Sequence, residues 1–524
     1  MAPAARRPTE APMLDPSLIS RLTRRVAAAS GATSTTSAPF TGKPLAELPQ
    51  SSAADVAGAF ERARTAQAAW AALPPRDRVA PFERFHDLVL DRQREILDIV
   101  QWETGKARRH AFEEVYDAAG GTLYYARRGP ALLRRRRTPG AVPGATRTYV
   151  HHQPKGVVSV ITPWNYPLTL PVADAVPALI AGNAVVAKPD TQTALTALWA
   201  IDLLVEAGLP EDLWIPVLGE PAEIGDALVD HADHVSFTGS SAVGAHIAQR
   251  AAARLVSCSA ELGGKNPAIV CEDADLDRTV EGVLRACFSN AGQLCISMER
   301  IFVHDAIHDD FAGRLAAAVG EMTLNADLDF TADMGSLTYR RQLDRVAAHV
   351  EDARAKGADV LAGGRPRPDI GPLFYEPTLL AGVTEDMDAC ADETFGPVAA
   401  VHRFADEDEA VERANATGYG LNASIWTRDV ARGRRLAERI RSGTVNINEG
   451  YGAAWASYDA PMGGMKRSGL GRRHGAEGLL RYTEPQTIAS QHLVGLAGPP
   501  GMDGETLAKT LTLGARLMKR FRIR

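Results

Sequence analysis

One cysteine has a sequence environment that suits nucleophilic chemistry. Cys295 lies in FSNAGQLCISMER, residues 288–300. The preceding residues repeat at helical spacing, with Asp275 as a candidate N-cap and Gly292 as a natural stop. We therefore predict that Cys295 lies on a short irregular loop just past a helix end, where a scaffold commonly presents reacting side chains. A thiol becomes a useful nucleophile only where its surroundings favour the thiolate, and a small buried core residue is the structural alternative.

Two further polar residues follow apolar runs. Residues 259–267 read SAELGGKNP, and they place Glu261 at the carboxyl end of a predicted strand, where open α/β sheets bind their ligands. Residues 162–167 read TPWNYP and place Asn165 after the apolar run 156–161. The structural alternatives are a helix cap for Asn165 and a paired acid at a strand end for Glu261.

The stretches PWNYP, ELGGK and FSNAGQLC, in this order, resemble the NAD(P)-dependent aldehyde dehydrogenase superfamily, from about residue 40 to about residue 490. The resemblance implies that the Cys295 thiolate attacks an aldehyde carbonyl. Asn165 and the backbone N–H of Cys295 would stabilise the resulting oxyanion, and hydride would pass to the cofactor. Glu261 would then activate the water that hydrolyses the thioester. No metal is expected to take part.

The resemblance also implies a cofactor site. FTGSSAVG at residues 237–244 matches the family's cofactor segment, although GxGxxG is absent and a plain helix cap is the alternative. The lysine that holds the adenosine ribose corresponds to Lys188, and three residues on, where NAD-preferring members commonly carry glutamate, stands Thr191. A carboxylate would repel a 2′-phosphate, whereas a short hydroxyl leaves room, so we predict NADP, with NAD as the weaker alternative.

The glutamate of ETFGP, residues 393–397, corresponds to the family residue that binds the nicotinamide ribose. The predicted cofactor-binding set is Thr162, Pro163, Trp164, Asn165, Lys188, Pro189, Asp190, Thr191, Gly239, Ser240, Gly244, Leu262, Glu393 and Phe395.

Composition limits the classes of protein that fit. A chain of 524 residues with 45% hydrophobic content can bury a large core in two to three domains. The net charge of −6 gives no indication of nucleic-acid binding. No apolar run could span a bilayer, no secretory leader is recognisable, and we expect no stable membrane insertion. Five cysteines without a CxxC pair argue against a disulfide framework or a zinc site, and they indicate the cytoplasm.

Strand candidates alternate with helical stretches from about residue 148 onward, which predicts a parallel sheet with crossover helices. The strand candidates are residues 156–162, 184–188, 213–218, 234–238 and 255–261, and 195–207 is one intervening helix. The predicted fold is α/β, with a Rossmann-like cofactor domain and an α/β catalytic domain. The resemblance adds a small oligomerisation sheet from segments 148–153 and 480–490, which would reach into a partner subunit of a homodimer or homotetramer.

The predicted division of the chain has five parts. They are a loosely ordered N-terminal extension over residues 1–40, an NADP-binding domain over 41–262 with 140–154 contributing to the oligomerisation sheet, a catalytic domain over 263–464, a return to the cofactor domain with an oligomerisation strand over 465–491, and a basic amphipathic tail over 492–524. Packing of this tail on a neighbouring subunit is our interpretation, and a membrane-surface helix is the alternative.

The resemblance implies that the substrate is a small-molecule aldehyde. Overall resemblance favours bacterial family members that oxidise succinate semialdehyde with NADP, and an arginine or paired hydroxyls would bind that carboxylate. Arg285, Arg300 and Arg472 are open candidates. A redox-controlled disulfide known in some semialdehyde dehydrogenases should be missing, because Ser297 stands at the second cysteine position.

Two alternatives stay open. One is an NADP-dependent dehydrogenase of a neutral aliphatic or aromatic aldehyde, with Tyr166, Trp455 and Tyr458 as tunnel walls. The other is an oligomeric binding or structural protein that has lost turnover.

Overall fold

Two large β-sheets organise the chain in the computed structural model, which describes residues 14–142, 145–492, 495 and 497–522. The first sheet has six strands, in the order β17 (Gly469–Leu470), β9 (Ser257–Glu261), β8 (His234–Thr238), β5 (Val157–Thr162), β6 (Ala184–Pro189) and β7 (Trp214–Pro216). Only β17 runs antiparallel to its neighbour. The central strands are almost wholly buried, as expected for a parallel sheet covered on both faces.

Helices connect and cover this sheet. The crossovers are α6 (Thr169–Ile180), α7 (Ala194–Glu206), α8 (Pro221–Asp230) and α9 (Ser241–Ala253). Four earlier helices pack beside them: α2 (Ala53–Ala72), α3 (Ala80–Asp91), α4 (Gln93–Thr104) and α5 (Arg108–Leu132). The strand predicted over residues 213–218 is shorter than expected, because β7 pairs with β6 over three residues only.

The second sheet has seven strands, in the order β12 (Asp359–Ala362), β13 (Thr378–Ala381), β14 (Val398–Phe404), β11 (Met298–His304), β10 (Asn266–Val270), β15 (Ser424–Trp426) and β16 (Asn446–Ile447). All neighbours are parallel except β12 and β13. Its helices are α10 (Leu276–Phe288), α11 (His308–Glu321), α12 (Arg340–Ala355), α13 (Asp388–Ala391), α14 (Glu407–Asn415) and α15 (Val430–Ala437), followed by α16 (Gly452–Trp455) and α17 (Gly475–Leu480).

A third, antiparallel sheet joins β3 (Arg136–Thr138), β4 (Thr146–Pro154) and β18 (Thr483–Gln491). Both extended segments predicted from the sequence fall in it. The second begins three residues later than predicted, because Leu480 still belongs to α17. The pairing of this sheet with a partner subunit stays a prediction.

The prediction of a loose lead-in is wrong for residues 14–40. This segment forms α1 (Pro16–Thr23) and β1 (Thr33–Ser37), and β1 pairs with β2 (Pro44–Pro49). Leu22 is fully buried in the core around the six-stranded sheet, and Arg25 donates to Asp202 of α7 at 2.7 Å. A short apolar stripe therefore suffices to fix the segment once a complementary surface is present. Residues 1–13 lie outside the described residues.

The basic tail forms α18 (Gly504–Arg520), and none of its side chains is buried. Leu511, Leu513, Leu517 and Phe521 are exposed. Arg524 lies outside the described residues, and the partner of this helix stays a prediction. Within the described parts of the chain, every helix is too short or too polar to cross a membrane.

Candidate active site

The loop that carries Cys295 begins where α10 breaks. Asp275 caps the helix as predicted, accepting from the Arg278 N–H. The helix ends at Phe288, four residues before Gly292, because Asn290 and Ala291 adopt left-handed φ values of 51° and 53°. Non-glycine residues rarely adopt such φ values, which persist only where the surroundings enforce them.

Hydrogen bonds from three parts of the chain hold this turn. The Asn290 N–H donates to His110 Nδ1 at 3.1 Å, and the Asn290 side chain donates to Asn165 O at 3.0 Å. Burial lowers the pKa of His110 to about 3, so its ring is neutral and Nδ1 can accept. Gln293 Oε1 accepts from the Thr338 N–H at 3.0 Å. The loop is therefore a rigid support for the thiol two residues further on.

Cys295 faces a cavity of about 250 Å³ between the two large sheets. Asn165 and Glu261 line the same cavity, so the structure brings the three predicted catalytic side chains together. Burial raises the pKa of the Cys295 thiol to about 12, and the carboxylates of Glu393 and Glu261 add to the effect. The thiolate therefore needs positive charge or a hydrogen-bond donor from a bound ligand.

Asn165 is oriented by its neighbours without capping a helix. Its Nδ2 donates to Gln293 O at 3.0 Å, and its backbone oxygen accepts from Lys106 Nζ at 2.6 Å. An amide nitrogen carries two N–H groups, so one remains for an oxyanion next to the thiol. The capping alternative does not hold, because α6 begins after Leu168 without any side-chain cap.

Glu261 ends β9, as the sequence predicts, and it is 7% exposed. Its Oε1 has no hydrogen-bond partner, and no described cation lies within ion-pair distance of it. Burial raises the pKa of Glu261 to about 7, against the opposing effect of Arg473 and Arg481. A buried, unpaired carboxyl that titrates near neutral pH suits a general base better than a structural acid.

The loop of residues 393–397 closes the other side of the cavity. Glu393 Oε1 accepts from the Gly264 N–H at 2.9 Å, and burial raises the pKa of Glu393 to about 8. Glu299 holds the loop in place by accepting from the Thr394 and Phe395 N–H groups. A Cβ at Gly292 would lie 2.0 Å from Gly396 O, so the Cys295 loop and this loop pack directly on each other.

The predicted cofactor residues fall into two groups. The cavity wall contains Pro163, Trp164, Asn165, Gly239, Ser240, Leu262, Glu393 and Phe395. A second group, Thr162, Lys188, Pro189, Asp190 and Thr191, lies at and just after the carboxyl ends of the adjacent strands β5 and β6. Open parallel α/β sheets commonly bind nucleotides at this edge.

Two observations test whether a dinucleotide fits this edge. Lys188 is buried, and the described contacts give its Nζ one hydrogen bond, 3.4 Å long, to Pro189 O. A buried ammonium with spare donors suits ribose hydroxyls. Ser240 lines the cavity and caps α9, so the N-terminal end of this helix lies at the cavity wall, and a helix N-terminus suits a phosphate. Lys188 and the start of α9 therefore fit a bound dinucleotide.

Gly244 differs from the rest of the predicted cofactor segment. Its N–H donates within α9 to Ser240 O at 2.9 Å, so it has none to offer a phosphate. A Cβ at this position would lie 2.4 Å from Leu262 Cδ2. Gly244 therefore has a packing role, which lets α9 approach β9 closely.

The remaining wall of the cavity is acidic and hydroxylic. Glu113 and Asp117 of α5 line it together with Tyr166 and Thr169. Asp117 Oδ1, the Tyr166 hydroxyl and the Thr169 hydroxyl are buried without a hydrogen bond of normal length, although the Thr169 and Tyr458 hydroxyls lie close enough to Asp117 to favour its ionised form. Burial raises the pKa of Asp117 to about 7. These unsatisfied polar atoms mark where a polar part of a ligand could bind.

None of the three candidate arginines lines this cavity. Arg300 is buried and donates to the backbone oxygens of Lys265, Arg413 and Ala414. Arg285 is largely exposed and pairs with Glu113 at 3.1 Å. Arg472 donates to Gly464 O and Gly471 O. Of the proposed tunnel walls, Tyr166 and Trp455 line the cavity, and Tyr458 lies outside its lining.

Several residues of the site were not predicted from the sequence. The buried pair of Lys106 and Glu114, 2.5 Å apart, supports the Asn165 segment, because Glu114 also accepts from the Leu168 and Thr169 N–H groups. Lys265 pairs with Glu299 behind the Glu393 loop. The sequence gives one indication that Lys106 and Lys265 are buried, because each lysine stands next to a glycine or an apolar residue. It gives no indication that Glu114 and Glu299 are their partners.

Comparison with known proteins agrees with this architecture. The sequence model described as the aldehyde dehydrogenase family matches residues 26–488. A Mycobacterium tuberculosis protein named "Putative succinate-semialdehyde dehydrogenase [NADP(+)] 2" is 53% identical over 90% of this chain and 91% of its own. A Pseudomonas putida 3-sulfolactaldehyde dehydrogenase is 36% identical over 88% and 94%. The crystal structure of an E. coli NADP-dependent enzyme superposes with a TM-score of 0.86 at 34% identity, covering 90% of this chain and 99% of that one.

Proposed function

The chain belongs to the aldehyde dehydrogenase family, and from that premise we propose that it oxidises an aldehyde to a carboxylic acid through a thioester on Cys295, with NADP as the hydride acceptor. The single observation that supports this most strongly is the meeting of Cys295, Asn165 and Glu261 on one cavity. It also argues against a binding protein that has lost turnover, since all three reacting groups are intact.

The first half of the reaction uses the thiol and the amide. Cys295 loses its thiol proton to water, and its Sγ attacks the aldehyde carbon as a thiolate. The carbonyl oxygen becomes an oxyanion that the free N–H of Asn165 and the Cys295 backbone N–H stabilise. NADP held at this site would supply the acceptor for the hydride that leaves this carbon. Lys188 and Thr191 would hold the adenosine ribose and its phosphate, and Glu393 the second ribose. The product of this half is an acyl group on Cys295.

The second half needs a base. The Glu261 carboxylate accepts a proton from water, the water oxygen bonds to the acyl carbon, and the carbon–sulfur bond breaks. The acid leaves, and Cys295 is restored as a thiol. Because Glu261 must be ionised for this step and burial raises its pKa to about 7, hydrolysis speeds up as the pH rises through about 7.

Thr191 is the residue that we propose to favour NADP. The nearest carboxylate, that of Asp190, already accepts from the Gln192 N–H and from the Tyr339 hydroxyl. Replacing Thr191 by glutamate should lower kcat/KM for NADP by at least about tenfold and raise it for NAD, because a like charge beside a phosphate costs several kcal/mol. Initial rates with both cofactors measure this, with Thr191→Ser as the matched control. An unchanged NADP preference in Thr191→Glu would show that Thr191 does not set the cofactor preference.

Succinate semialdehyde is the proposed substrate. The names of the mycobacterial relatives support it. The Tyr166 and Thr169 hydroxyls on the cavity wall are candidate donors to its carboxylate. Two arginines also line the cavity: Arg473 pairs with Asp174, whereas Arg345 donates to Glu393 O and pairs with no described carboxylate, so Arg345 is a further candidate. The proposal is tested by NADPH formation from a panel of aldehydes of similar length. Should succinate semialdehyde be no better than butanal, this substrate is excluded while aldehyde oxidation stands.

An uncharged aldehyde is the second candidate, because Glu113 and Asp117 line the same cavity. A negative charge on Asp117 opposes a carboxylate substrate, whereas neutral Asp117 does not. Burial raises the pKa of Asp117 to about 7, so the two protonation states exchange within the working pH range.

This titration gives a prediction about selectivity. The ratio of kcat/KM for succinate semialdehyde to that for butanal should fall as the pH rises from 6 to 8, because Asp117 ionises. Asp117→Asn should keep the ratio flat and raise it at pH 8 by roughly three- to tenfold, which corresponds to about 1 kcal/mol of like-charge repulsion. Initial rates across this pH range measure the effect. A ratio that is independent of pH in the unmodified enzyme would contradict it.

We also propose that the enzyme works in the cytoplasm as a homodimer or homotetramer. All five cysteines are free, which suits a reducing compartment. The three-stranded sheet exposes most of β18, which suits contact with a second copy.

A further inference from the structure

A buried ion cluster lies behind Glu261. Asp174 of α6 is fully buried, and it accepts from two arginines at the start and end of α17. Arg473 Nε and Nη2 lie 2.9 and 2.6 Å from its two oxygens, and Arg481 Nη2 lies 2.5 Å from Oδ1. The arginine side chains are only 11% and 10% exposed. All three groups are thus shielded from solvent.

The charges of this cluster do not balance. Two guanidinium groups face one carboxylate, and an arginine does not lose its proton inside a protein. The other acceptors are neutral. They are the Thr238 hydroxyl for Arg473, and the Tyr482 hydroxyl and Arg472 O for Arg481. In the described part of the chain no second carboxylate pairs with either arginine. A buried excess positive charge is costly unless an anion lies near it.

Glu261 is the anion in the right place. Arg473 Nη2 donates to Thr238 Oγ1 at 2.6 Å, and Thr238 is the Cα partner of Glu261 on the neighbouring strand. Neighbouring strands are about 4.8 Å apart, so the residue that anchors Arg473 lies one strand spacing from Glu261. Arg473 and Glu261 also line the same cavity. The cluster and the ionised carboxylate together are neutral.

We propose that Arg473, Asp174 and Arg481 form a positioning cluster that favours the ionised form of Glu261, the form that can take a proton from water, against the effect of its burial. This inference rests on the proposed function, because it concerns the step in which Glu261 acts as the base. The arginines transfer no proton themselves. They supply the charge that the Glu261 carboxylate balances, and Asp174 fixes their positions.

The arginines near Glu261 change its pKa in the direction that this proposal requires. Arg473, Arg481 and Arg472 lower its pKa, whereas burial and Asp174 raise it. Across the cavity, Glu393 and Cys295 are neutral in the ligand-free site at pH 7, because burial raises the pKa of each. Although burial opposes ionisation of Asp174 as well, the two arginines hold its pKa well below its usual range. Asp174 therefore keeps its charge while Glu261 titrates.

The test is the pH dependence of kcat in Arg481→Gln, measured with a substrate that shows an NADPH burst, so that hydrolysis limits turnover. Removing one guanidinium should shift the pH at which kcat rises to a value about one unit higher, in line with the effect of a nearby charge on a pKa. Arg481→Lys should restore most of the shift. The matched control is Arg432→Gln, because Arg432 pairs with Glu272, Asp273 and Glu407 in the other half of the chain. In Arg432→Gln the pH at which kcat rises should not change.

A second variant covers the case in which Arg481→Gln does not fold. Thr238→Val preserves shape and charge but removes the hydroxyl that anchors Arg473 beside Glu261, and it should also shift the pH at which kcat rises to a higher value. If both variants fold and their kcat rises at the same pH as in the unmodified enzyme, the cluster is only structural and the inference is wrong. If the unmodified enzyme forms no NADPH from any aldehyde, the proposed function has failed instead. The two failures are therefore distinguishable.

Discussion

Cys295→Ser is expected to lose NADPH formation by at least about 10³-fold with every aldehyde, because a hydroxyl in place of the sulfur is a far weaker nucleophile and has no paired base at this position. The change is nearly isosteric, so the loop that Asn290 and Gln293 hold should keep its shape. Cofactor binding should persist, since no predicted cofactor contact involves the thiol. The measurements are initial rates by NADPH absorbance and the affinity for NADP by fluorescence.

Cys258→Ser is the matched control. Cys258 lies on β9, three residues before Glu261, and it does not line the cavity. Its replacement should leave the rate within a small factor. A Cys295→Ser enzyme as active as Cys258→Ser would exclude the thioester route.

Glu261→Gln is expected to separate the two halves of the reaction. The first turnover should still release NADPH in a burst, because Cys295 and Asn165 are unchanged. Later turnovers should slow by about 10²- to 10⁴-fold, the usual contribution of a general base. The residual rate should lose its dependence on pH near 7, because the group whose pKa is raised to about 7 is gone. Stopped-flow absorbance resolves the burst from the steady state.

The burst itself is the internal control for folding and cofactor binding. An amplitude near one NADPH per active chain shows that the first half is intact. A variant in which burst and steady state fall together would mean that Glu261 acts before hydrolysis. A variant with full steady-state turnover would mean that another group is the base.

Local patterns predicted much of this molecule, because each of them is read within one segment. The cap at Asp275, the strand that ends at Glu261 and the loop that carries Cys295 follow from periodicity and residue type. The alternation of strands and helices was enough for the five parallel strands of the six-stranded sheet, whereas the antiparallel edge strand β17 was not predicted. The bringing together of Cys295, Asn165 and Glu261 came from the family resemblance, since periodicity cannot place three distant segments on one cavity.

Long-range charge pairing could not be predicted. Asp174 meets Arg473 across 299 positions, and nothing local marks either residue as buried. The end of α10 was misplaced for a related reason. Asn290 and Ala291 take left-handed conformations that a sequence reading assigns to glycine, and tertiary contacts such as the bond to His110 enforce them. The N-terminal segment was underestimated because Leu22 is buried by α7 and β2, which lie at other positions of the chain, and the short stripe itself gives no sign of that contact.

The proposed function depends on one intermediate, an acyl group that forms on Cys295 and persists until Glu261 activates the water that hydrolyses it. Mass spectrometry of Glu261→Gln, quenched in acid after mixing with NADP and an aldehyde, tests it most directly. We expect one acyl group per chain, on the peptide that contains Cys295, in an amount equal to the NADPH released. NADPH release with that peptide unmodified would contradict it.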